Sequence, residues 1–165
     1  MKLCIIAAIG KNNELGKRGG LIWNIPEDLR YFKSKTMGAP VIMGKNTFNS
    51  LPRLLPGRKH IILSDNDDFN KDVSDAKVVY SKDELMEYIK NELQDYEKVF
   101  VIGGASMYAM FIDVCDKMYL THIMAEDSEA DVFFPEIKQG VWEKNIDYKY
   151  FDNGIIFEHW EYDRK

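Results

Sequence analysis

Residues Trp23 to Phe32 read WNIPEDLRYF, and this stretch decides how we expect the rest of the chain to be arranged. Pro26 suits the first position of a helix, where its fixed φ is favourable and its missing N–H costs nothing. Asp28 lies only about 60° from the centre of the helix's apolar side, because an α-helix has about 3.6 residues per turn. The side chains on that side are Ile25, Leu29, Phe32 and Thr36.

The position of Asp28 has two interpretations, and the helix alone does not decide between them. Acidic residues are favoured in a first helical turn, because unpaired N–H groups and the helix dipole attract negative charge. A carboxylate so close to the apolar side also fits a residue that points into a binding pocket. The other motifs of the chain must distinguish an ordinary first-turn acid from a ligand-binding one.

Length and composition predict one domain, residues 1–165, large enough for a hydrophobic core. The net charge of −5 argues against nucleic acid or an anionic membrane as a partner. The first residues lack the pattern of a signal peptide, and no apolar run approaches the length of a membrane span. Cys4 and Cys115 lie far apart, as is typical of buried thiols in a reducing cytosol. We therefore expect a cytoplasmic protein and take a monomer as the default.

Apolar runs alternate with helix signals along the chain and predict an α/β fold with a mainly parallel sheet. The tail adds a hairpin, Trp142–Tyr150 and Ile155–Tyr162, around Asp152–Gly154. Loops are predicted at 10–20, 51–57 and 65–75. Strands are predicted at Leu3–Ile9, Pro40–Gly44, Lys59–Ser64, Val78–Tyr80, Lys98–Gly103 and Met118–Ala125. Helices are predicted from Pro26 to between Lys35 and Gly38, at Lys45–Ser50, from the capping box of Ser81 and Glu84 to Leu93, and at Ala105–Phe111.

The loop after the first strand only superficially resembles a nucleoside-triphosphate loop. Five residues separate Gly10 from Gly16, where that motif has four, and Arg18 stands where it needs a hydroxyl for magnesium. We therefore interpret residues 10–20 as a glycine-hinged loop, which is also what a lid over an active site requires.

Two other turns follow strands, at the edge of the sheet where α/β proteins bind ligands. Gly44–Thr47 opens a helix and carries Lys45, which favours a phosphate, although an ordinary helix start with an exposed lysine fits equally well. Gly103 and Gly104 allow a ligand to approach the main chain, but the dinucleotide fingerprint is absent.

The chain shows no metal-type spacing and no nucleophile elbow. We expect no metal site. This leaves hydride transfer or simple binding, with a cofactor carrying the reactivity. The histidines are isolated in the sequence and are expected to be structural: His60, His122 and His159.

Taken together and in this order, the motifs resemble those of the dihydrofolate reductase family of the bacterial, single-domain type. The most specific are the W-x-x-P-x-D-L-x-x-F pattern and the Val101–Gly104 turn. The matching residues extend over nearly the whole chain: Ile6–Ala8, Gly16, Trp23–Leu29, Phe32, Pro40–Gly44, Thr47, Ser50, Leu55–Arg58, Val101–Gly104, Tyr108 and Tyr119–His122.

The resemblance implies a central, mixed, mainly parallel eight-stranded sheet with four flanking helices and a C-terminal antiparallel hairpin strand. It implies NADPH-dependent reduction of 7,8-dihydrofolate to 5,6,7,8-tetrahydrofolate. Hydride would pass from nicotinamide C4 to pterin C6 and N5 would be protonated. The product would supply one-carbon metabolism for thymidylate and purine synthesis, and the enzyme would be an antifolate target.

The resemblance also implies roles for individual residues in binding the substrate. Asp28 would hold the pterin 2-amino group and N3 with its two oxygens, without donating a proton to N5 directly. Trp23 would position water, Thr121 would hydrogen-bond Asp28, and Arg58 would grip the glutamate α-carboxylate. The implied substrate-binding set is Ile6, Ala8, Asp28, Leu29, Phe32, Ser50, Leu55, Arg58, Ile102, Tyr108 and Thr121.

For the cofactor, the resemblance implies a cis bond between Gly103 and Gly104. It also implies a lid formed by Gly10–Ile22, latched by Asp131 through a backbone hydrogen bond. The implied cofactor-binding set is Ala8, Ile9, Leu15, Gly16, Gly44, Lys45, Asn46, Thr47, Leu63, Ser64, Ile102, Gly103, Gly104, Ala105, Ser106, Met107 and Tyr108.

Three positions depart from the family pattern. Ile22 precedes Trp23 where the lid has proline, Ser106 replaces a frequent basic residue, and Asp65 follows Ser64 where a hydroxyl or base is common. Recognition of the 2′-phosphate would then depend on Lys45. Two alternatives remain: a reductase of another pterin or of a ribosylated pyrimidine, which would give Arg58 no purpose, and a non-catalytic nucleotide-binding protein.

Overall fold

The structure is a computed structural model that describes residues 1–65 and 76–165. Apart from Asp65, the loop predicted at 65–75 therefore lies outside the described residues. The helices are α1 (Pro26–Thr36), α2 (Lys45–Ser50), α3 (Lys82–Glu92) and α4 (Ala105–Phe111). The strands are β1 (Lys2–Ile9), β2 (Glu14–Lys17), β3 (Gly20–Leu21), β4 (Val41–Gly44), β5 (His60–Leu63), β6 (Ala76–Val79), β7 (Lys98–Gly103), β8 (Lys117–Ile123), β9 (Val132–Phe133), β10 (Trp142–Asp152) and β11 (Ile155–Arg164).

The main sheet has eight strands in the order β10-β11-β8-β1-β7-β4-β5-β6. The pairings from β8 through β6 are parallel, while β11 pairs antiparallel with both β8 and β10. This confirms the predicted fold, a mixed and mainly parallel sheet that ends in a C-terminal hairpin.

The central strands have continuous apolar sequences because both faces of the sheet are covered. Successive side chains of a strand point to opposite faces, so Cys4 and Ile5 of β1 are both buried but belong to two separate core clusters. Cys115 is also buried, which confirms the prediction for both thiols. Burial raises the pKa of the Cys4 thiol to about 12 and that of Cys115 to about 11.

Helix α1 begins at Pro26, as predicted, and is capped by a residue distant in the sequence. The Glu27 amide donates to the Asp152 carboxylate at 3.1 Å, and Asp152 lies at the turn of the β10–β11 hairpin. Asn153 and Gly154 have positive φ angles of 51° and 75° there, which is the geometry expected of a tight hairpin turn. The hairpin therefore fixes the start of the helix that carries Asp28.

The apolar side of α1 is only partly in the core. Ile25 and Thr36 are buried at its two ends, but Leu29 is 52% exposed. Phe32 is half-buried and packs against a core cluster. The sequence pattern therefore marked the correct side of the helix but overstated its burial.

The prediction of a loop at residues 10–20 is wrong in part. Within it, β2 pairs with β3 and with the distant β9, forming a three-stranded sheet. Strands of two to four residues carry too little alternation of polar and apolar residues to be recognised.

The remaining strand ends differ from the predicted ones by a few residues. The capping box of α3 is confirmed, since Ser81 Oγ accepts from the Glu84 amide at 3.1 Å.

Candidate active site

Thr121 connects α1 to the middle of the main sheet. Its hydroxyl donates to Asp28 Oδ1 at 2.6 Å, which confirms the hydrogen bond that the resemblance implied. Thr121 lies on β8 directly opposite Ala8 of β1, so both residues belong to the same row across the sheet. Asp28 is thereby held above the carboxyl end of β1, where this class of fold binds ligands.

The Asp28 carboxylate is largely withdrawn from water, with 19% of its side chain exposed. Burial raises its pKa, and the hydrogen bond from Thr121 offsets part of that effect. An acid that keeps one face open and is anchored on the other can bind a ligand group offering two adjacent donors.

Trp23 packs in a small apolar cluster with Ile25, the residue before Pro26, and with Ala8 of β1. The strand-to-lid junction runs directly over it, because a Cβ on Gly10 would lie 2.5 Å from the Trp23 ring. Only glycine fits at that position, so the sequence places the indole against the start of the lid.

Most of the apolar residues predicted to bind the substrate gather at one core cluster, between α1 and the sheet. Ile6 is buried in one of the two main core clusters, and Phe32, Leu55 and Ile102 pack against that cluster. Leu29 is the most exposed of these residues. Of the predicted apolar residues, only Ala8 belongs to the neighbouring cluster around Trp23.

Arg58 lies beside the same group of residues, with its guanidinium 5.9 Å from the centre of the Phe32 ring. Its Nη1 donates to Thr36 Oγ1 at 3.1 Å and its Nε to the Pro56 carbonyl at 3.1 Å. Neither partner is charged, so the cation is oriented but not neutralised by them. Burial lowers the pKa of Arg58, because it partly removes the cation from water.

The turn between β7 and α4 fits a ligand that approaches the main chain closely. The Gly103–Gly104 peptide bond is cis, as the resemblance implied, and Gly103 has a φ of +129°. A Cβ on either glycine would lie 3.4 Å from Thr47 Oγ1, so side chains would fill the gap between this turn and the start of α2. The residues present therefore fit an extended dinucleotide lying across both turns.

Lys45, at the start of α2, already has an anionic partner. Its Nζ donates to Asp65 Oδ1 at 3.0 Å, and the Asp65 side chain is 92% exposed. The hydrogen bond and the charge of Lys45 lower the pKa of Asp65. The lysine expected to recognise the 2′-phosphate is therefore partly neutralised by one of the positions that depart from the family pattern.

The lid is attached to the segment before β9. Asp131 Oδ2 accepts from the Arg18 amide at 3.0 Å, which confirms the implied latch, and the Asp131 amide donates to the Gly16 carbonyl at 3.1 Å. Lys17 also pairs with Asp127 at 3.2 Å. These contacts hold the β2–β3 hairpin close to the mouth of the site.

The remaining predicted residues differ in how accessible their side chains are to a ligand. The side chains of Ile9, Met107 and Tyr108 are buried in the core, so a ligand would meet their main chain. The Tyr108 hydroxyl donates to the Ile6 carbonyl at 2.9 Å. Ser50 and Ser106 are exposed, and Ser64 is buried. The others, Leu15, Gly16, Gly44, Asn46, Leu63 and Ala105, are at least partly accessible.

Sequence reasoning missed one residue beside Asp28. His159 is only 1% exposed, its Nδ1 lies 2.9 Å from Thr121 Oγ1, and its ring stacks on Tyr31 with centroids 3.6 Å apart. His159 is isolated in the sequence, as stated above, and its contact with Thr121 was not predicted. The signal that could have found it is the pairing of β11 with β8, which sets His159 opposite Thr121.

The other two histidines have structural partners. His60 Nε2 accepts from the Leu55 amide at 3.0 Å, and His122 Nε2 lies 2.7 Å from the Tyr162 hydroxyl. In residues 1–65 and 76–165, no group of three or more His, Cys, Asp or Glu side chains is arranged to hold a metal ion. Within the same ranges, no helix is both long and apolar enough to span a membrane.

Comparison with known proteins gives a consistent result over almost the whole chain. The family model described as dihydrofolate reductase matches residues 2–164. The chain is 35% identical over 147 residues to the dihydrofolate reductase of Haemophilus influenzae, covering 89% of this chain and 87% of that protein. It is 36% identical to the type 3 enzyme of Salmonella typhimurium over 144 residues, covering 87% and 85%. It is 36% identical to the dihydrofolate reductase of Bacillus subtilis over 140 residues, covering 85% and 79%.

Proposed function

The chain belongs to the dihydrofolate reductase family, and on that premise we propose that Asp28 is the residue that binds and orients the pterin ring. The enzyme reduces dihydrofolate to tetrahydrofolate with NADPH, an oxidoreductase reaction of one-carbon metabolism. NADPH supplies the hydride, from nicotinamide C4 to pterin C6.

The observation that carries the role of Asp28 is its anchored and desolvated carboxylate. Thr121 fixes Oδ1 at 2.6 Å, and 19% of the Asp28 side chain remains exposed. The 2-amino group and N3 of a pterin present two parallel donors, which match the two oxygens of one carboxylate. In a site from which water is largely excluded, this pair of hydrogen bonds also stabilises positive charge on the ring.

Protonation of N5 is assigned to water, with Asp28 as an electrostatic partner and not as the direct donor. Trp23 is assigned the role of positioning that water, because it packs against Ile25 at the start of α1 and lies against Gly10, where the lid begins. The lid restricts entry of bulk water and keeps the path to N5 short.

The substrate and the cofactor each have an anionic group that is assigned to its own cation. Arg58 binds the glutamate α-carboxylate with the N–H groups that Thr36 and Pro56 leave free for a ligand. Lys45 meets the 2′-phosphate of NADPH, and the two glycine turns carry the rest of the dinucleotide. The protein acts as a single-domain, cytoplasmic monomer.

The test is Asp28→Asn, which keeps the shape and one acceptor but removes the charge. The variant is expected to fold and to lose about 10²- to 10³-fold in kcat/KM for dihydrofolate at neutral pH, the usual cost of removing one preorganised electrostatic contact. Activity should recover partly at acid pH, where the substrate arrives already protonated. NADPH oxidation followed by absorbance gives the rate. Unchanged turnover at neutral pH would refute the assigned role.

A further inference from the structure

We infer that His159 is a positioning residue for Asp28, acting through the hydroxyl of Thr121. The inference rests on the proposed role of Asp28 in binding the pterin. It adds a residue from the C-terminal hairpin to a site otherwise built from α1 and the parallel strands.

Three polar atoms form a continuous chain from β11 to α1. His159 Nδ1 lies 2.9 Å from Thr121 Oγ1, and Thr121 Oγ1 lies 2.6 Å from Asp28 Oδ1. The direct distance from His159 Nδ1 to Asp28 Oδ1 is 3.9 Å, too long for a hydrogen bond. The hydroxyl is therefore the only link between the imidazole and the carboxylate in this chain of contacts.

The chemistry of the three groups sets the direction of both hydrogen bonds. An ionised carboxylate only accepts, so the single proton of Thr121 points to Asp28. The Thr121 oxygen must then accept from the ring, which requires the proton of neutral His159 to sit on Nδ1. Donation from the imidazole also polarises the hydroxyl and makes it a stronger donor to Asp28.

The surroundings of His159 keep it neutral and fixed. Burial lowers its pKa to about 4, so the ring carries no charge at neutral pH. Tyr31 stacks on the ring with an interplanar angle of 8°, while Tyr150 and Phe157 contact it edge-on. The ionisable groups that face the ring from the neighbouring elements are Glu27, Asp28, Tyr31 and Lys35 of α1 and Asp147 and Tyr150 of β10.

The other ring nitrogen, Nε2, also indicates that His159 is present for its contact with Thr121. Among the side chains that the structure describes, His159 Nε2 is buried and has no hydrogen-bond partner. A buried nitrogen without a partner is unfavourable, and an apolar residue of similar size would avoid that cost. What the histidine gains at this position is therefore the contact of Nδ1 with Thr121.

The first test reads the proton position directly. The ¹⁵N shifts of His159 in the unliganded enzyme at neutral pH should show a proton on Nδ1 and none on Nε2. A proton on Nε2 would reverse the hydrogen bond to Thr121 and overturn the inference.

The second test uses a matched pair of variants. His159→Phe removes the donor and keeps a stacked ring, whereas His159→Asn keeps an N–H group close to the position of Nδ1. His159→Phe should raise KM for dihydrofolate about three- to tenfold, the equivalent of one hydrogen bond, with a smaller change in kcat. It should also move the acid limb of the kcat/KM profile to higher pH, because Asp28 loses a polarised donor. His159→Asn should restore both values towards those of the parent enzyme.

A purely structural histidine would give a different pattern, with lower thermal stability in both variants and an unmoved pH profile. A double-mutant cycle with Thr121→Val distinguishes the positioning role from the structural one. Once the hydroxyl is gone, His159→Phe should have little further effect on KM for dihydrofolate or on the pH profile. Additive effects would overturn the inference.

Failure of the inference is distinguishable from failure of the proposed function. Binding of 2,4-diaminopteridine to Asp28→Asn, measured by calorimetry, reports on Asp28 without turnover. Unchanged binding would reject the role of Asp28 itself. Weakened binding in Asp28→Asn with parent-like binding and pH dependence in His159→Phe would reject only the role of His159.

Discussion

Lys45 and Asp65 form an ion pair of 3.0 Å at the carboxyl ends of β4 and β5. The proposed cation for the 2′-phosphate therefore faces an acid before any cofactor arrives. A phosphate dianion that binds here must displace or tolerate the Asp65 carboxylate, whereas the 2′-hydroxyl of NADH carries no charge to be repelled. Asp65 should reduce the preference for NADPH without changing the rest of the dinucleotide site.

Asp65→Asn is expected to tighten NADPH binding about two- to fivefold, in keeping with the modest strength of exposed charge pairs, and to leave NADH nearly unchanged. Quenching of tryptophan fluorescence gives both dissociation constants without turnover. The gain should shrink at high salt because the site is exposed.

The matched control is Asp113→Asn, which changes the net charge equally but breaks the exposed pair with Lys138. It should not alter either constant. Conversely, Lys45→Ala should weaken NADPH far more than NADH. Equal tightening of both cofactors by Asp65→Asn would mean that the carboxylate acts on a part of the dinucleotide that they share.

Arg58 provides a test of the substrate's far end. Arg58→Ala should raise KM for dihydrofolate about 10- to 100-fold, since a charge-assisted contact contributes about 1.5–3 kcal/mol. A dihydropterin without the glutamate tail should be affected little, and steady-state kinetics with both substrates give the comparison. An equal penalty on both would make Arg58 structural. Thr36→Val, which removes the acceptor of the Arg58 Nη1 bond, should give a smaller effect of the same selectivity.

Local signals in the sequence predicted what depends on neighbours along the chain. Pro26, the Ser81–Glu84 capping box and the Asn153–Gly154 turn each fix a structure within a few residues, and all three were confirmed. The short strands β2, β3 and β9 were missed because their pairing joins segments that show no periodicity of their own.

The site shows the same division between local and distant contacts. Thr121 lies 93 positions from Asp28 in the sequence, so their hydrogen bond could be predicted only from the family resemblance. His159 was missed because no local pattern sets the register between β8 and β11. Likewise, the pairing of Lys45 with Asp65 depends on β4 and β5 being neighbours in the sheet. The sequence predicted both strands but not the order of strands in the sheet.

Asp28 should reduce the stability of the unliganded protein at neutral pH. Its pKa is raised in the folded state by burial, so the folded protein binds more protons than the unfolded chain around that pKa, and stability falls as the pH rises through it. Asp28→Asn is therefore expected to raise the melting temperature at pH 7, with the difference shrinking towards acid pH. Calorimetry across that range checks it, and a lower melting temperature for the variant at pH 7 would show that the carboxylate stabilises the fold.

Glu14 should have the opposite effect to Asp28, so that the lid is less stable at acid pH. This carboxylate is 2% exposed and accepts from the Asn12 amide at 2.8 Å and the Asp127 amide at 3.4 Å, joining the lid to the segment before β9. Burial raises its pKa, but the hydrogen bonds outweigh that effect and the pKa is lowered. Its stabilisation is therefore present above the ordinary glutamate pKa of 4.5 and is lost as the pH falls through the folded value.

Glu14→Gln should remove about 1.5–3 kcal/mol of stabilisation at neutral pH, because the amide group turns a donor towards backbone N–H groups that need an acceptor. The amide resonances of Asn12 and Asp127 should titrate together in the parent protein below about pH 4.5 and lose that titration in the variant. Glu126→Gln, on the exposed neighbour of Asp127, serves as the control and should preserve it. If the two amides titrate unchanged in Glu14→Gln, another acid controls the lid, and Asp131, which holds the Arg18 amide, becomes the residue to replace.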